Sequence, residues 1–212
     1  MIISFINQKG GCAKSTTAVH FAYWLATKKK KKIGFVDTDE QQSSLVWLKA
    51  MGDDKILAFH LTDTNAIIEQ IPDLADHSQF VIVDGPASAQ ETTRAILFIS
   101  DLAIIPVQPA AIDLHSTAET IRLITQAQKI RGGLPSAAAF LSRAINRTRL
   151  KHEAIAFLDQ VPELQLLKSV IHQRVVVADA FGQDATVWEI PKAHASQVEF
   201  ENLFQEIWRL CQ

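Results

Sequence analysis

Short runs of apolar residues alternate with stretches of helical period along almost the whole chain. Residues 2–7, 33–37, 80–84, 102–107 and 138–142 are continuous apolar runs, not alternating ones, which is the pattern of strands buried on both faces. Between them, residues 16–27, 43–51, 91–99 and 116–131 carry helical spacing. The alternation of β and α elements predicts an α/β fold: a doubly wound, mainly parallel sheet with helices on both faces. Val198, Leu203, Ile207 and Leu210 recur at helical spacing near the end, predicting a closing amphipathic helix over 198–210. No linker or internal repeat interrupts the series, so residues 1–212 are expected to form a single domain.

Composition narrows the partners. A formal charge of −2 gives no overall basicity, so contact with nucleic acid would need a local patch. No apolar run reaches the roughly 18 residues of a membrane span. The start, Met1-Ile2-Ile3-Ser4-Phe5-Ile6, reads as a strand and not as a signal peptide. Two cysteines, Cys12 and Cys211, form no C-x-x-C pair, and the seven histidines show no zinc-ligand spacing. The expectation is a cytoplasmic protein without a disulfide framework.

In a parallel sheet of this kind, ligands bind outside the carboxyl ends of the strands. Three of the predicted strands end in residues that carry chemistry. The first leads into Gln8-Lys9-Gly10-Gly11-Cys12-Ala13-Lys14-Ser15-Thr16, which also opens a helix. Glycines let such a loop bend so that its N–H groups face one concavity, and the helix adds unpaired N–H groups and its positive dipole end. The chemistry suits phosphate. Lys14 can reach β- and γ-phosphate oxygens, the Ser15 hydroxyl can bind Mg²⁺, and Thr16 can hydrogen-bond a phosphate. The ordinary G-x-x-x-x-G-K-[ST] pattern fails, because Gln8 and Ala13 stand where it needs glycine. The deviant form K-G-G-x-x-K-[ST] is satisfied, with Lys9 as its extra lysine. Ala13 departs even from that form, where glycine is usual. Its methyl group is expected to crowd the β-phosphate or alter the loop dihedrals, weakening nucleotide affinity without abolishing it. Cys12 reads as an ordinary loop residue.

The other two strands end in acids. Phe35-Val36-Asp37-Thr38-Asp39 puts two carboxylates at i and i+2, on one side of the pleat, and Phe80-Val81-Ile82-Val83-Asp84 ends in one. Each alone could be a turn or a helix cap. Beside a phosphate loop they suit Mg²⁺, which takes near-octahedral oxygen ligands and keeps several waters. Asp84 is the metal-side candidate, Asp37 a supporting group at the metal, and Asp39 a group to orient the attacking water.

With these motifs the chain resembles the ParA/MinD family of deviant Walker ATPases over nearly its whole length, most nearly the short plasmid-partition members such as ParF. Lys9-Gly10-Gly11-Cys12-Ala13-Lys14-Ser15-Thr16 is similar to the family's phosphate loop. Val36-Asp37-Thr38-Asp39-Glu40-Gln41 resembles its D-x-D-P-Q segment, with Glu40 in place of proline. Val83-Asp84-Gly85-Pro86 resembles Walker B, and Ser100-Asp101-Leu102-Ala103-Ile104-Ile105-Pro106-Val107-Gln108-Pro109 is similar to the P-V-x-P loop strand. Gln173-Arg174-Val175-Val176-Val177 is close to the Q-R-x-V-x-V pattern of the short members. The acidic end (Glu199, Glu201, Glu206) is unlike a membrane-targeting helix.

The resemblance implies a P-loop ATPase with ATP and Mg²⁺ as cofactors, and a homodimer closed around ATP with Lys9 crossing to the partner's phosphates. It implies catalytic roles for Lys9, Lys14 and Asp39, metal ligation by Ser15, Asp37 and Asp84, and an adenine side near Arg143 and Arg174. It also implies ATP-dependent, non-specific binding to nucleoid DNA, a ParB- or ParG-like centromere-binding partner that stimulates hydrolysis, and no membrane. Segregation of a plasmid or chromosome is the leading expectation. A McdA-like ATPase positioning a carboxysome or another protein cargo is the alternative, and a metabolic P-loop ATPase that does not bind DNA is a further one. Arg147, Arg149 and Lys151 are the candidate DNA contacts, in a stretch (143–151) with four cations and no acid. The lysine run at 28–32 reads as a solvated helix C-terminus, favourable for cations.

Overall fold

The computed structural model describes residues 1–146 and 148–212, with 111–113 described by backbone alone. Seven strands form one sheet: β1 (Ile2–Phe5), β2 (Ile33–Asp37), β3 (Ile56–His60), β4 (Phe80–Asp84), β5 (Leu102–Val107), β6 (Ser136–Ala144) and β7 (Gln165–His172). Their order is β3-β2-β4-β1-β5-β6-β7, and every pairing is parallel. The helices are α1 (Lys14–Thr27), α2 (Ser43–Met51), α3 (Thr64–His77), α4 (Gln90–Ile99), α5 (Ala111–Ile130), α6 (Arg149–Leu158), α7 (Val175–Asp179) and α8 (His194–Leu210).

The continuous apolar runs arise because both faces of the sheet are covered. Ile3, Phe5, Ile33, Phe35, Ile82 and Ile104 pack with α1, α2 and α8 on one face. Their neighbours Ile2, Val36, Val81, Val83, Ala103 and Ile105 pack with α3, α4, α5 and α6 on the other. Side chains alternate across a strand, so a strand covered on both sides needs apolar residues at every position. β1, β2, β4 and β5 are buried throughout. The doubly wound expectation stands, and no helix among the described residues is long and apolar enough to cross a membrane.

β1 sits mid-sheet, between β4 and β5. The chain leaves β1 toward one edge and later passes beyond it to the other, so a crevice opens outside the carboxyl end of β1. Register sets what faces that crevice. Phe5 pairs with Asp84, and Asp84 with Asp37, so the chain leaves β1, β2 and β4 at one level. Gly85 keeps the ends close: a Cβ there would lie 2.9 Å from Ile6 Cγ2 and 3.0 Å from the Phe5 carbonyl oxygen.

Candidate nucleotide site

The phosphate loop is held at its start by buried polar groups. Asn7 Nδ2 donates to the Pro106 carbonyl at 2.9 Å and to Thr117 Oγ1 at 3.3 Å, while Asn7 Oδ1 accepts from the Lys9 amide at 3.0 Å. The Gln8 amide donates to Thr120 Oγ1 and its side-chain amide to Thr93 Oγ1, tying the loop to α5 and α4. Farther along, Ser142 Oγ of β6 donates to the Cys12 carbonyl at 2.8 Å. The loop then turns through left-handed conformations at Gly11 (φ 77°) and at Ala13 (φ 72°, ψ 31°). A non-glycine residue there carries about 1 kcal/mol of strain. Ala13 thus takes a left-handed backbone that glycine would adopt without strain, next to the Cys12 carbonyl that Ser142 holds. Its carbonyl accepts from both the amide and the hydroxyl of Thr17.

Lys14 is buried at the start of α1, and its ammonium donates to the Lys9 carbonyl at 3.0 Å. Cys12 Sγ donates to the same oxygen at 3.2 Å. α1 has no side-chain cap, so its first amides remain available to an anion.

Asp84 is buried at the end of β4, beside the Ser15 hydroxyl, and its Oδ1 has no hydrogen-bond partner. Burial pushes its pKa up to about 7. The Ser15 hydrogen bond works against that rise, the Asp37 charge adds to it, and Ser44 and Lys14 oppose it. An unpartnered buried carboxylate oxygen beside a hydroxyl fits a hard divalent cation such as Mg²⁺. Among the described residues no cluster of three or more His, Cys, Asp or Glu side chains surrounds a metal position.

Asp37 is already occupied. Its Oδ2 accepts from Ser44 Oγ at 2.7 Å and the Leu45 amide at 3.0 Å, and its Oδ1 from the Asp39 amide at 3.0 Å. It caps the first turn of α2 and supports the site beside Asp84. The structure changes one expectation here: β2 ends at Asp37, so Asp39 lies in the following turn and shares no pleat with it. Asp39 is held within that turn, its Oδ1 accepting from the Gln41 amide at 3.0 Å and its Oδ2 from the Ala87 amide at 3.4 Å.

A cleft of about 640 Å³ runs from this loop past Arg143 and Arg174 to Val175 and Phe200. Arg143, with φ 49° at the end of β6, donates to the Gly11 carbonyl at 2.6 Å. Arg174 and His172 both bond Glu199 Oε1, at 2.7 Å and 2.9 Å. Burial raises the Glu199 carboxyl, but the Arg174 guanidinium and the His172 amide and ring outweigh it and hold it below its ordinary value. Arg143 and Arg174 therefore share the cleft with the loop. The sequence does not single out His172 or Phe200, and it marks Glu199 only as part of the acidic end. Gln173-Arg174 is the nearby signal for His172, and the helical spacing of 198–210 the one for Phe200.

Of the candidate DNA contacts, Arg149 and Lys151 do not line the cleft. Arg147 lies outside the described residues. Arg149 opens α6 and pairs with Glu153 at 2.6 Å, just beyond the acid-free stretch, and Lys151 follows it on the same helix. The lysine run at 28–32 precedes β2 and so lies at the opposite end of the sheet from the loop. Lys29 Nζ sits 4.8 Å from the Trp24 ring centroid and 5.0 Å from that of Trp208, and Lys31 Nζ is 5.9 Å from the latter.

Comparison with known proteins agrees with this geometry. The chain is 23% identical over 210 residues to maintenance of carboxysome distribution protein A of Halothiobacillus neapolitanus, a match covering 97% of this chain and 95% of that protein. A Cyanothece McdA variant in complex with ATP superposes with a TM-score of 0.83 at 15% identity, over 97% of this chain and 95% of that one. The septum site-determining protein MinD of Pyrococcus horikoshii, complexed with Mg-ADP, gives 0.77 at 19% identity, over 99% and 96%. Residues 3–187 match the CobQ/CobB/MinD/ParA nucleotide binding domain, and the chain belongs to that family.

Proposed function

We propose that this chain is an Mg·ATP-dependent ATPase that positions a protein cargo. The observation that carries the hydrolytic reading is the unpartnered Asp84 Oδ1 beside Ser15, next to the buried Lys14 of the phosphate loop. Lys14 leaves the Lys9 carbonyl for the β- and γ-phosphates, and loop amides and Thr16 bind the remaining oxygens. Ser15 and Asp84, with Asp37 as support, would hold Mg²⁺, which would supply charge neutralisation to the transferring phosphoryl group. Asp39 orients the water that attacks the γ-phosphorus, giving ADP and phosphate. Arg143 and Arg174 take the adenine side of the cleft. Lys9 reaches the phosphates of a second copy, so ATP closes a dimer.

Protein cargo is favoured over a plasmid because the relative matched along nearly the whole chain is named for carboxysome distribution. In this reading the ATP dimer binds nucleoid DNA without sequence preference, and a cargo-bound partner stimulates hydrolysis. Lys14→Ala tests the core of it. Purified wild-type protein should hydrolyse ATP in Mg²⁺ and bind it tightly, and the variant should do neither. Equal ATP affinity by calorimetry would overturn the phosphate-loop assignment. In cells, a fluorescent fusion should coat the nucleoid, and deletion should cluster a protein assembly while plasmid retention stays normal. Lost plasmids with an evenly distributed assembly would favour the partition reading.

A further inference from the structure

His60 is the last residue of β3, the outermost strand on one side of the sheet, and pairs in register with Asp37. Its Nε2 lies 3.1 Å from the main-chain carbonyl oxygen of Asp39. A carbonyl only accepts, so Nε2 carries the proton in this contact. The same oxygen accepts from the Gln42 amide at 3.0 Å. The other bonds to Asp39 run to main-chain amides at its carboxylate, or from its own amide to Asp37. Thr38 holds the start of this turn to the end of β4, its hydroxyl and amide donating to the Asp84 carbonyl at 2.7 Å and 3.1 Å, and His60 is the side chain that fastens Asp39 itself to β3.

We propose that His60 is a positioning residue for hydrolysis, holding the Asp39 turn so that its carboxylate stays at the attacking water. The inference rests on the ATPase reading above, with Asp39 as the water-orienting group. The physical case is one of tolerance. A turn carrying a catalytic carboxylate is mobile unless tied down, and a misplacement of about 1 Å can cost a hundredfold in rate. The local Gln41 and Gln42 amides fix the shape of the turn but not its place relative to the sheet. Thr38 anchors the start of the turn to β4, and His60 ties Asp39 to β3, complementing the Ala87 contact from the loop after β4. His60 touches neither phosphate nor water in this scheme and acts through Asp39 alone.

The test compares His60→Ala with His60→Gln, whose side-chain amide places a donor near the position of Nε2. His60→Ala should lower kcat about tenfold or more while ATP affinity stays within about twofold, because the phosphate contacts are untouched. His60→Gln should recover most of kcat. Hydrogen exchange in the peptide spanning 38–45 should quicken in His60→Ala and return toward wild type in His60→Gln. Wild-type turnover and wild-type exchange in His60→Ala would overturn the proposal. So would an equal loss in both variants accompanied by equal falls in thermal midpoint, which is the mark of a general packing role. A wild-type protein with no ATPase activity would sink the hydrolytic reading instead, and the exchange comparison would still decide whether His60 holds the turn.

Discussion

Two buried titratable side chains, Asp84 and His20, respond to burial in opposite directions. His20 lies inside the aromatic cluster under α1, stacked on Phe200 at 4.6 Å and edge-on to Trp47. Its Nδ1 donates to the Thr16 carbonyl at 2.7 Å, and its Nε2 accepts from the Val187 amide at 3.1 Å, so both nitrogens are satisfied by the neutral ring. Burial lowers its pKa from 6.5 to about 4, against a smaller opposing effect of the Thr16 bond. Between those values the unfolded chain holds the extra proton, so stability rises with pH. Asp84 does the reverse. Its pKa is raised from 3.8 to about 7, the folded protein holds the extra proton, and stability falls as pH rises through that range. Each slope is at most about 1.4 kcal/mol per pH unit, and the two nearly cancel between pH 5 and 6.5. Urea unfolding of the metal-free protein should therefore be almost flat with pH in that window. Asp84→Asn should expose a rising slope, and His20→Phe a falling one. An Asp84→Asn variant as flat as wild type would mean that His20 is not held neutral.

At the scale of elements, α8 also acts as a cover for the edge of the sheet. β7 is an edge strand, and its outward amides would otherwise be open to pairing with another chain. Glu206 accepts from the Lys168 and Ser169 amides at 2.8 Å and also from the Ser169 hydroxyl, while Glu199 accepts from the His172 amide at 3.0 Å. Two of the three acids that count against a membrane-targeting helix, Glu199 and Glu206, thus serve as side-chain caps along β7, while Glu201 accepts from Trp24 Nε1 at 2.7 Å. Glu206→Ala should destabilise the fold by about 1–3 kcal/mol, since it strands two amides at a partly covered edge. The same variant should aggregate more readily. Unchanged urea stability together with unchanged light scattering on storage would show that the edge needs no such cover.

At the scale of the whole molecule, parallel strands gather the loop, Asp84 and the Asp37 turn at one end of the sheet and leave the 28–32 lysines at the other. Two copies meeting through their nucleotide faces would carry these lysines on their outer poles, far from the interface. The dimer reading therefore rests on Lys9. Lys9→Ala should retain most of the monomer's ATP affinity, because Lys14 and the loop amides remain, yet lose the ATP-dependent dimer. Light scattering that shows a normal ATP dimer in this variant would remove Lys9 from the interface.

Local pattern alone determined much of this protein. Strands covered on both faces are apolar at every position, so β2, β4 and β5 were legible to the residue, and the motif at 8–16 declared its strand-to-helix turn. The edge strands β3 and β7 were not, because each has only one strand neighbour, and Leu57, Phe59 and Lys168 face outward. The sequence also identified Ala13 as a departure, but only the structure showed that it is left-handed, beside a Cys12 carbonyl tied to β6. The bonds of His20 to Val187, His60 to Asp39 and Arg174 to Glu199 were decided by the tertiary structure alone. They join residues 167, 21 and 25 positions apart. Contacts of that kind leave no periodic trace along the chain and exist only once the sheet has brought its strand ends together.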